Sequence, residues 1–292
     1  LKKIKADIFF SPDGLMPSKC PCPSVITIHD INFEHYPQDL KWSHSIFYRF
    51  FFKRHAKNAS HVITVSNFSK KDLIQTYQIN SNKITVVYNG TSNIFKKITT
   101  KQKNIIKQEY TNNYDFFVFI GSLHKRKNVS NLLLAFEHYK QKNGKLKLVI
   151  IGEKKWLDKK TKSIYQNMIF KNDVLLLGRL DDEKLAEILA SSTALCFISF
   201  FEGFGIPIIE AMKCGVPVIA SNRTCIPEIT QDGAAIINPD DIHQISHTMY
   251  KLEKDSNLRE ELIQKGQLRA THFDWSRSAN EIWEIINSIH LK

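Results

Sequence analysis

The sequence predicts an α/β fold with parallel sheets, and three observations support that prediction. Short runs of apolar, β-branched residues alternate with longer stretches of helical periodicity. The runs are uniformly apolar, which is typical of strands that helices cover on both faces. A length of 292 residues also favours two domains over one. We therefore expect βα units arranged around two parallel sheets.

The predicted strands form two blocks along the chain. The first block holds residues 6–10, 25–29, 62–65 and 84–87. The second block holds residues 116–120, 146–151, 174–177, 194–198 and 216–220. Ligands of parallel α/β folds bind at the carboxyl ends of strands, so we expect the chemistry in the loops that follow these runs.

A polar stretch separates the two blocks. Residues 91–104 are rich in Lys and Thr and show no core periodicity, so we predict a linker there and a domain boundary near residue 97. Near the C-terminus, apolar residues at close to helical spacing predict an amphipathic helix: Ile282, Trp283, Ile285, Ile286 and Ile289. The expected domains are 1–97, 98–275 and a terminal helix at 276–292 that can cross back to the first domain.

Composition excludes several classes of protein. The chain is 42% hydrophobic and 24% charged, as in ordinary globular proteins, and no run of about 18 apolar residues indicates a membrane-spanning helix. Neither end has the pattern of a secretory signal. Five cysteines are too few, and odd in number, for a disulfide scaffold, and Cys20 and Cys22 are spaced more closely than zinc ligands usually are. We therefore expect a protein of the reducing cytosol.

Charge is unevenly distributed. The net charge is +12, and the first 97 residues hold 14 basic against 6 acidic side chains. Such a surplus attracts nucleic acid, anionic lipid or phosphorylated small molecules, although a Lys-rich composition alone also produces it. Residues 42–57 (WSHSIFYRFFFKRHAK) mix aromatic and basic side chains, which fits a helix on an anionic membrane or a helix whose aromatics pack into a core. No nucleic-acid-binding motif is present, so we expect no nucleic-acid partner.

The sharpest motif is FEGFGIPIIEAMKCG at residues 201–215. Gly203 and Gly205 let backbone N–H groups approach a ligand closely, and Pro207 suits the first position of a helix. A helix N-terminus aimed into such a loop is an anion site. Glu202 and Glu210 can accept hydrogen bonds from sugar and ribose hydroxyls around a bound diphosphate. The alternative is a turn with two surface glutamates.

Two further loops carry candidate residues. After the strand at 116–120, Gly121 and Ser122 precede a basic cluster, HKRK at 124–127, which either neutralises a diphosphate or forms a solvated loop. His29 and Asp30 end the strand at 25–29, where a histidine can be structural or can face a ligand. Asp30 fits a loop-fixing carboxylate.

Together these segments resemble the retaining glycosyltransferases of family four, whose GT-B fold has two Rossmann-like domains facing across a cleft. The similar segments follow one another in order: VITIHD at 25–30, VITVSNFSKKDL at 62–73, VVYNG at 86–90, FIGSLHKRKN at 119–128, residues 201–221, and PEI with DGA at 227–234. The family's opening strand and glycine-rich loop have no counterpart here. Because the chain also begins at Leu1, we expect an incomplete N-terminal domain.

The resemblance implies transfer of a sugar from a nucleotide donor with retention of configuration, without a cofactor and without an obligatory metal. It implies catalytic roles for His29, Glu202, Arg126 and Lys127. The implied donor-binding residues are Gly121, Ser122, Arg126, Lys127, Glu202, Gly203, Phe204, Gly205, Ile206 and Glu210. Ser122 stands where many family members have Arg, and we expect Arg126 to supply that charge.

The expected donor is GDP-mannose, with a UDP-hexose as the second choice. The expected acceptor is a glycan or a lipid-linked acceptor of surface-polysaccharide synthesis. We place the protein in the cytoplasm, in peripheral contact with the anionic inner face of the plasma membrane. The alternatives are a non-catalytic sugar-nucleotide-binding protein, a sugar-nucleotide 2-epimerase of the same fold, and a nucleic-acid or membrane adaptor.

Overall fold

The computed structural model describes residues 1–153 and 157–290, and its contacts divide the chain into two compact units. The first unit comprises Leu1–Gly90, Glu202–Phe204 and Phe273–Lys292, and the second comprises Thr91–Phe201 and Gly205–His272. The domain bounds 1–97, 98–275 and 276–292 remain a proposal. Positions 291 and 292 of the expected terminal helix lie outside the described residues.

Strands and helices alternate along the described residues, as the sequence predicts. The strands are β1 Phe9–Ser11, β2 Ser24–Thr27, β3 His61–Thr64, β4 Ile84–Val86, β5 Phe116–Ile120, β6 Lys147–Ile151, β7 Val174–Gly178, β8 Ala194–Phe197, β9 Val218–Ser221 and β10 Ala235–Ile237. The α-helices are α1 Asn32–His35, α2 Trp42–Asn58, α3 Asn67–Tyr77, α4 Thr100–Thr111, α5 Val129–Gln141, α6 Lys159–Asn167, α7 Asp182–Ser191, α8 Ile206–Lys213, α9 Ile226–Thr230, α10 Ile242–Lys254, α11 Ser256–Ala270 and α12 Trp275–His290.

The first unit is built on a parallel sheet in the order β1-β2-β3-β4. One face of the sheet buries Ile26, Val62 and Leu73 together with Phe52 of α2. On the other face, α12 packs its isoleucines against a second cluster, which contains Val25, Ile63 and Val87. Helices therefore cover both faces, which accounts for the uniformly apolar strands.

The second unit contains a parallel sheet in the order β10-β9-β8-β5-β6-β7. Taken in chain order from β5, this is the 3-2-1-4-5-6 arrangement of a Rossmann fold. Its core is made of strand side chains such as Phe117 and Ile150 and of helix side chains such as Phe136 and Met249, all essentially inaccessible to solvent. The strand order reverses between β5 and β8, so the loops after these two strands flank the switch point of the sheet.

The structure confirms the nine predicted strands, with bounds that differ by up to three residues, and corrects two other expectations. Residues 100–104 were expected in the linker but open α4. There the Thr99 and Gln102 side chains form a capping box, which supplies partners for N–H groups at the helix start. β10 is absent from the predicted strands because its short apolar run, AAII at 234–237, begins with two alanines, which are depleted in strands.

Among the described residues, no helix combines the length and apolar character required to cross a bilayer.

Candidate active site

The second unit presents two loops at the switch point of its sheet. β5 pairs with β8 in parallel, with Phe117 opposite Ala194 and Val118 opposite Leu195. Both strands therefore end at the same edge, where α/β folds bind ligands. The loop after β5 carries the basic cluster, and the loop after β8 leads into α8.

Hydrogen bonds tie these two loops together. The Arg126 guanidinium Nη1 donates to the carbonyl oxygen of Phe201 at 3.1 Å, and the Phe200 backbone N–H donates to the carbonyl oxygen of Arg126 at 2.8 Å. The Lys127 ammonium lies 5.5 Å from the ring centroid of Phe197, the last residue of β8. Both predicted cations thus lie at the carboxyl end of β8, although their roles remain predictions.

Asn128 holds this arrangement in place, and the sequence reasoning did not assign it a role. It is fully buried, adopts a left-handed backbone with φ of 60°, and starts α5. Its side-chain amide donates to the carbonyl oxygens of Ile198 at 3.2 Å and Pro239 at 2.8 Å. Asn tolerates a left-handed backbone conformation better than most residues. The Asn directly after the basic turn could therefore have indicated a left-handed residue at the start of α5.

α8 begins at Ile206, one residue before the expected Pro207. The preceding Gly205 has φ of 97°, a conformation that side-chain-bearing residues rarely adopt, so glycine at this position makes the sharp entry possible. Pro207 lacks an N–H and costs nothing in the first turn, where N–H groups have no intrahelical partner. The N-terminus of α8 follows the loop that Arg126 contacts and can attract an anion.

Glu210 lies one turn inside α8 and has an unusual environment. Burial raises its pKa to about 7, and the negative charge of Asp182 at the start of α7 adds to the shift. The carboxyl group therefore accepts or releases a proton near neutral pH. Such a group can act as a hydrogen-bond acceptor for hydroxyls once it is ionised.

A cavity of about 340 Å³ opens at the carboxyl ends of β5, β6 and β7. Gly121 and Ser122, both predicted donor-binding residues, line it, as does Asp182. Glu153 and Arg179 also line the cavity and were not predicted, because each follows a strand without a surrounding motif. The cavity is of the size that small-ligand sites commonly have.

The remaining predicted residues lie in the first unit. Glu202 is only 6% exposed, and Gly203 packs against the loop that follows β2. A Cβ atom on Gly203 would lie 2.6 Å from the carbonyl oxygen of His29, so this close approach requires glycine. Ser66 Oγ donates to the carbonyl oxygen of Gly203 at 2.7 Å, and the Phe204 ring packs edge-on against Phe273.

His29 lies two residues beyond the end of β2, not at the end of the strand as expected, because β2 ends at Thr27. Its Nε2 is 3.0 Å from the carbonyl oxygen of Pro12. Asp30 accepts hydrogen bonds from the backbone N–H and the side-chain amide of Asn32, which fixes the loop. A cavity of about 300 Å³ opens beside His29 and Asp30 and is walled by aromatic side chains, among them Tyr48 of α2.

The structure thus distributes the predicted site residues over the two units. The second unit holds Gly121, Ser122, Arg126, Lys127, Gly205, Ile206 and Glu210 at the carboxyl edge of its sheet. The first unit holds His29, Glu202, Gly203 and Phe204. Among the described residues, no cluster of three or more His, Cys, Asp or Glu side chains is arranged to hold a metal ion. The Cys20 and Cys22 sulfurs lie 3.8 Å apart, and both thiols are free.

Solved structures share this fold. HepE from Anabaena, determined in complex with UDP-glucose, matches with a TM-score of 0.79 at 22% identity over 91% of this chain and 72% of its own. Sucrose-phosphate synthase from Thermosynechococcus elongatus matches with a TM-score of 0.76 at 18% identity over 92% of this chain and 68% of its own. These likenesses confirm the predicted α/β, GT-B fold.

Sequence relatives and family models agree with the fold. The chain is 26% identical to the O-antigen chain mannosyltransferase B of Escherichia coli over 96% of its length and 74% of the relative. It is 30% identical to the O-antigen chain mannosyltransferase RfbU of Salmonella typhimurium over 74% of its length, and it spans 57% of that relative. The model of Glycosyltransferase Family 4 matches residues 1–92. The model of Glycosyl transferases group 1 matches residues 100–269, which include both loops of the switch point and the whole of α8, and the chain therefore belongs to the group 1 glycosyltransferases.

Proposed function

We propose that the chain transfers a hexose, in the first place mannose from GDP-mannose, to a glycan or lipid-linked acceptor of surface-polysaccharide synthesis. The observation that carries the proposal is the junction of the two switch-point loops, where Arg126 and Lys127 lie beside the loop that leads into α8. The choice of mannose rests on the relatives that are named O-antigen mannosyltransferases.

The diphosphate of the donor binds at this junction. The Arg126 guanidinium can form paired hydrogen bonds to phosphate oxygens, and the Lys127 ammonium adds a point charge. The N–H groups at the start of α8 add the positive end of a helix dipole. These groups stabilise the charge that develops on the departing diphosphate, and we propose that the transfer needs no obligatory metal.

The nucleoside occupies the neighbouring cavity at the ends of β5, β6 and β7. Gly121 and Ser122 line this cavity next to the basic loop, so a nucleotide can extend from one to the other. Glu210 accepts hydrogen bonds from the ribose hydroxyls in its ionised form. Burial chiefly raises the pKa of Glu210, and the charge of Asp182 adds to the shift; because Asp182 also lines the cavity, this supports a position of Glu210 beside the nucleoside.

The transferred sugar is bound by the residues implied in the first unit. We assign its hydroxyls to Glu202 and to the backbone around Gly203 and Phe204, and the region near its reacting carbon to His29. The close packing of Gly203 against the His29 loop supports a joint role for these residues. Transfer proceeds with retention of the anomeric configuration, which NMR spectroscopy of the product can determine.

The acceptor side of the proposal rests on α2. Trp42, Ile46 and Phe50 recur every four residues and are 78%, 59% and 58% exposed, while Phe52, on another face of the helix, is buried. Exposed aromatic and aliphatic side chains next to exposed cations are typical of helices that bind an anionic membrane surface. We therefore propose that the chain works at the cytoplasmic face of the membrane on a lipid-linked acceptor.

Calorimetric titration of the purified chain with GDP, UDP, ADP and their sugar conjugates tests the donor site. We expect selective binding of one nucleotide, in the first place GDP. Replacing Lys127 or Glu210 by Ala should weaken that binding by about 10- to 100-fold, since a hydrogen bond to a charged group contributes roughly 1.5–3 kcal/mol. Lys125→Ala is the matched control, because Lys125 is an exposed cation of the same turn.

Equal losses in Lys125→Ala and Lys127→Ala, or no nucleotide binding by the folded chain, would contradict the donor site. Release of GDP from GDP-mannose in the presence of a glycan acceptor tests the transfer itself. Tight binding of GDP-mannose without any turnover would instead indicate a non-catalytic sugar-nucleotide-binding protein.

A further inference from the structure

Another cavity, with a polar lining, lies at the opposite ends of the strands of the six-stranded sheet. Its volume is about 420 Å³, and its lining includes residues immediately before four strands: Asp115, Leu146, Thr193 and Pro217. It is therefore at the amino-terminal ends of the strands, whereas the proposed donor site is at their carboxyl ends. Neither the predicted site residues nor the proposed function uses it.

Basic side chains outnumber acidic ones in the lining of this cavity. Lys103, Lys107, Lys145 and Arg259 contribute four positive charges, and Asp115 and Glu253 contribute two negative charges. Both carboxylates are already engaged. Asp115 pairs with Lys107 at 2.5 Å, and Glu253 pairs with Lys254 at 2.7 Å and also accepts the hydroxyl hydrogen of Tyr139.

Three cations are left without a carboxylate. Lys103, Lys145 and Arg259 form no ion pair with any described residue. The Arg259 guanidinium donates to the carbonyl oxygens of Leu252 and Glu253 at 2.7 and 3.0 Å, which places it at the C-terminal end of α10 but does not neutralise it.

Lys103 lies near other positive charges that repel its ammonium group. Lys103 and Lys107 are four residues apart on α4, a spacing at which like charges destabilise a helix. Burial, and then the charges of Lys107 and Lys97, lower the pKa of Lys103 below its ordinary value. The folded chain thus holds an ammonium group in a partly desolvated site where its charge is unfavourable. A bound anion would relieve this repulsion.

We propose that this cavity binds a phosphomonoester, through Lys103, Lys145 and Arg259, as a second anion site separate from the donor site. The dianion offsets most of the unpaired positive charge. A cavity of about 420 Å³ is larger than a phosphate group requires and leaves room for a small organic part of the ligand. Arg259 offers its guanidinium plane to phosphate oxygens, and the two lysines act as point charges.

Glycerol 3-phosphate is a suitable probe, because it joins a phosphate dianion to a small polar body. Isothermal titration of the full chain should show binding that Lys103→Gln weakens by about tenfold, in line with the loss of one charge-assisted contact. Lys101→Gln is the matched control, since Lys101 is an exposed cation on the same helix and does not line the cavity. It should retain the wild-type affinity within about twofold.

The Lys127→Gln variant separates this cavity from the donor site. Retained glycerol 3-phosphate binding in Lys127→Gln, together with its loss in Lys103→Gln, supports the proposal. No binding by the wild-type chain, equal affinities in Lys103→Gln and Lys101→Gln, or a loss confined to Lys127→Gln would overturn it. Binding of the chain to vesicles that contain phosphatidic acid distinguishes a lipid headgroup from a soluble phosphomonoester. Weaker vesicle binding by Lys103→Gln than by Lys101→Gln points to a lipid headgroup, and equal vesicle binding points to a soluble metabolite.

Discussion

Glu210 links the stability of the second unit to pH. Its folded-state pKa of about 7 lies above the ordinary value of 4.5, chiefly because the carboxyl group is buried. Between these two pH values, the unfolded chain has released the proton that the folded chain still holds. Raising the pH through this window therefore favours unfolding, and the contribution of Glu210 falls by up to about 3 kcal/mol, at 1.36 kcal/mol per pKa unit.

Glu210→Gln should remove this dependence. We expect the variant and the wild type to have similar free energies of unfolding near pH 4.5, and the variant to be the more stable by about 2–3 kcal/mol at pH 8. Urea denaturation at both pH values measures the difference. Asp182→Asn removes the neighbouring negative charge and should move the wild-type transition to lower pH. A constant difference between wild type and Glu210→Gln across the range would contradict the raised pKa.

Replacing Asn128, which lies next to the proposed donor site, should lower the free energy of unfolding. Asn128→Ala removes the amide donor from the carbonyl oxygen of Ile198 and one of the two amide donors from that of Pro239, and it places Ala in a left-handed conformation. We expect a loss of about 2–4 kcal/mol in the free energy of unfolding, together with weaker nucleotide binding, because the loop that carries Arg126 and Lys127 loses its anchor.

Asn131→Ala is the control for Asn128→Ala. Asn131 also donates to the carbonyl oxygen of Pro239, at 3.0 Å, but it is only partly buried and lies inside α5. Its replacement should cost about 1 kcal/mol or less and leave nucleotide affinity unchanged. Urea denaturation and GDP titration of the two variants side by side give the comparison. Equal effects in both variants would show that Asn128 does not position the loop.

At the scale of an element, α2 divides its side chains between a buried face and an exposed apolar face. Phe52, His55 and Ala56 are buried in the first unit, whereas Trp42 and Ile46 are exposed. The sequence left open whether this helix serves a core or a membrane surface, and the distribution of its side chains is compatible with both roles.

Replacing Trp42 by Ser should weaken binding of the chain to anionic vesicles by about tenfold, since burying a large apolar side chain contributes roughly 1.5–3 kcal/mol. Co-sedimentation with phosphatidylglycerol vesicles measures the effect. Trp283→Ser is the control, because Trp283 of α12 is a similarly exposed tryptophan, at 63%, on another helix. Equal losses for the two variants would contradict a specific role of α2. Raising the salt concentration should weaken binding further, since Lys53 and Arg54 contribute through screened charges.

At the scale of the whole molecule, local sequence patterns predicted the sheets and the loops on which we propose the site, but not the contacts between loops. The strand at Phe116–Ile120 and the helix after Gly205 follow from apolar runs and from glycine and proline positions. The hydrogen bond from the Asn128 amide to the carbonyl oxygen of Pro239 joins residues 111 positions apart in the sequence. The contribution of Asp182 to the raised pKa of Glu210 likewise exists only once the chain is folded. No local spacing encodes such pairs. The 100–104 segment was mistaken for a linker because a polar, exposed helix start has little apolar periodicity.

The hydrophobic clusters that the described residues form each lie within one unit, and this predicts how a ligand changes the unfolding of the chain. Among the described residues, the cluster around Phe117 and Phe136 belongs entirely to the second unit, and those around Ile26 and Ile63 belong to the first. We therefore expect differential scanning calorimetry to resolve two transitions. GDP at 100 times its dissociation constant should stabilise one of them by about 2.7 kcal/mol, because it binds the folded form only. Asn128→Ala identifies the transition of the second unit, because this variant should lower the midpoint temperature of the transition that GDP raises. If GDP raised the transition that Asn128→Ala leaves unchanged, the nucleotide would bind outside the second unit, and the donor site proposed at the ends of β5 and β8 would be wrong.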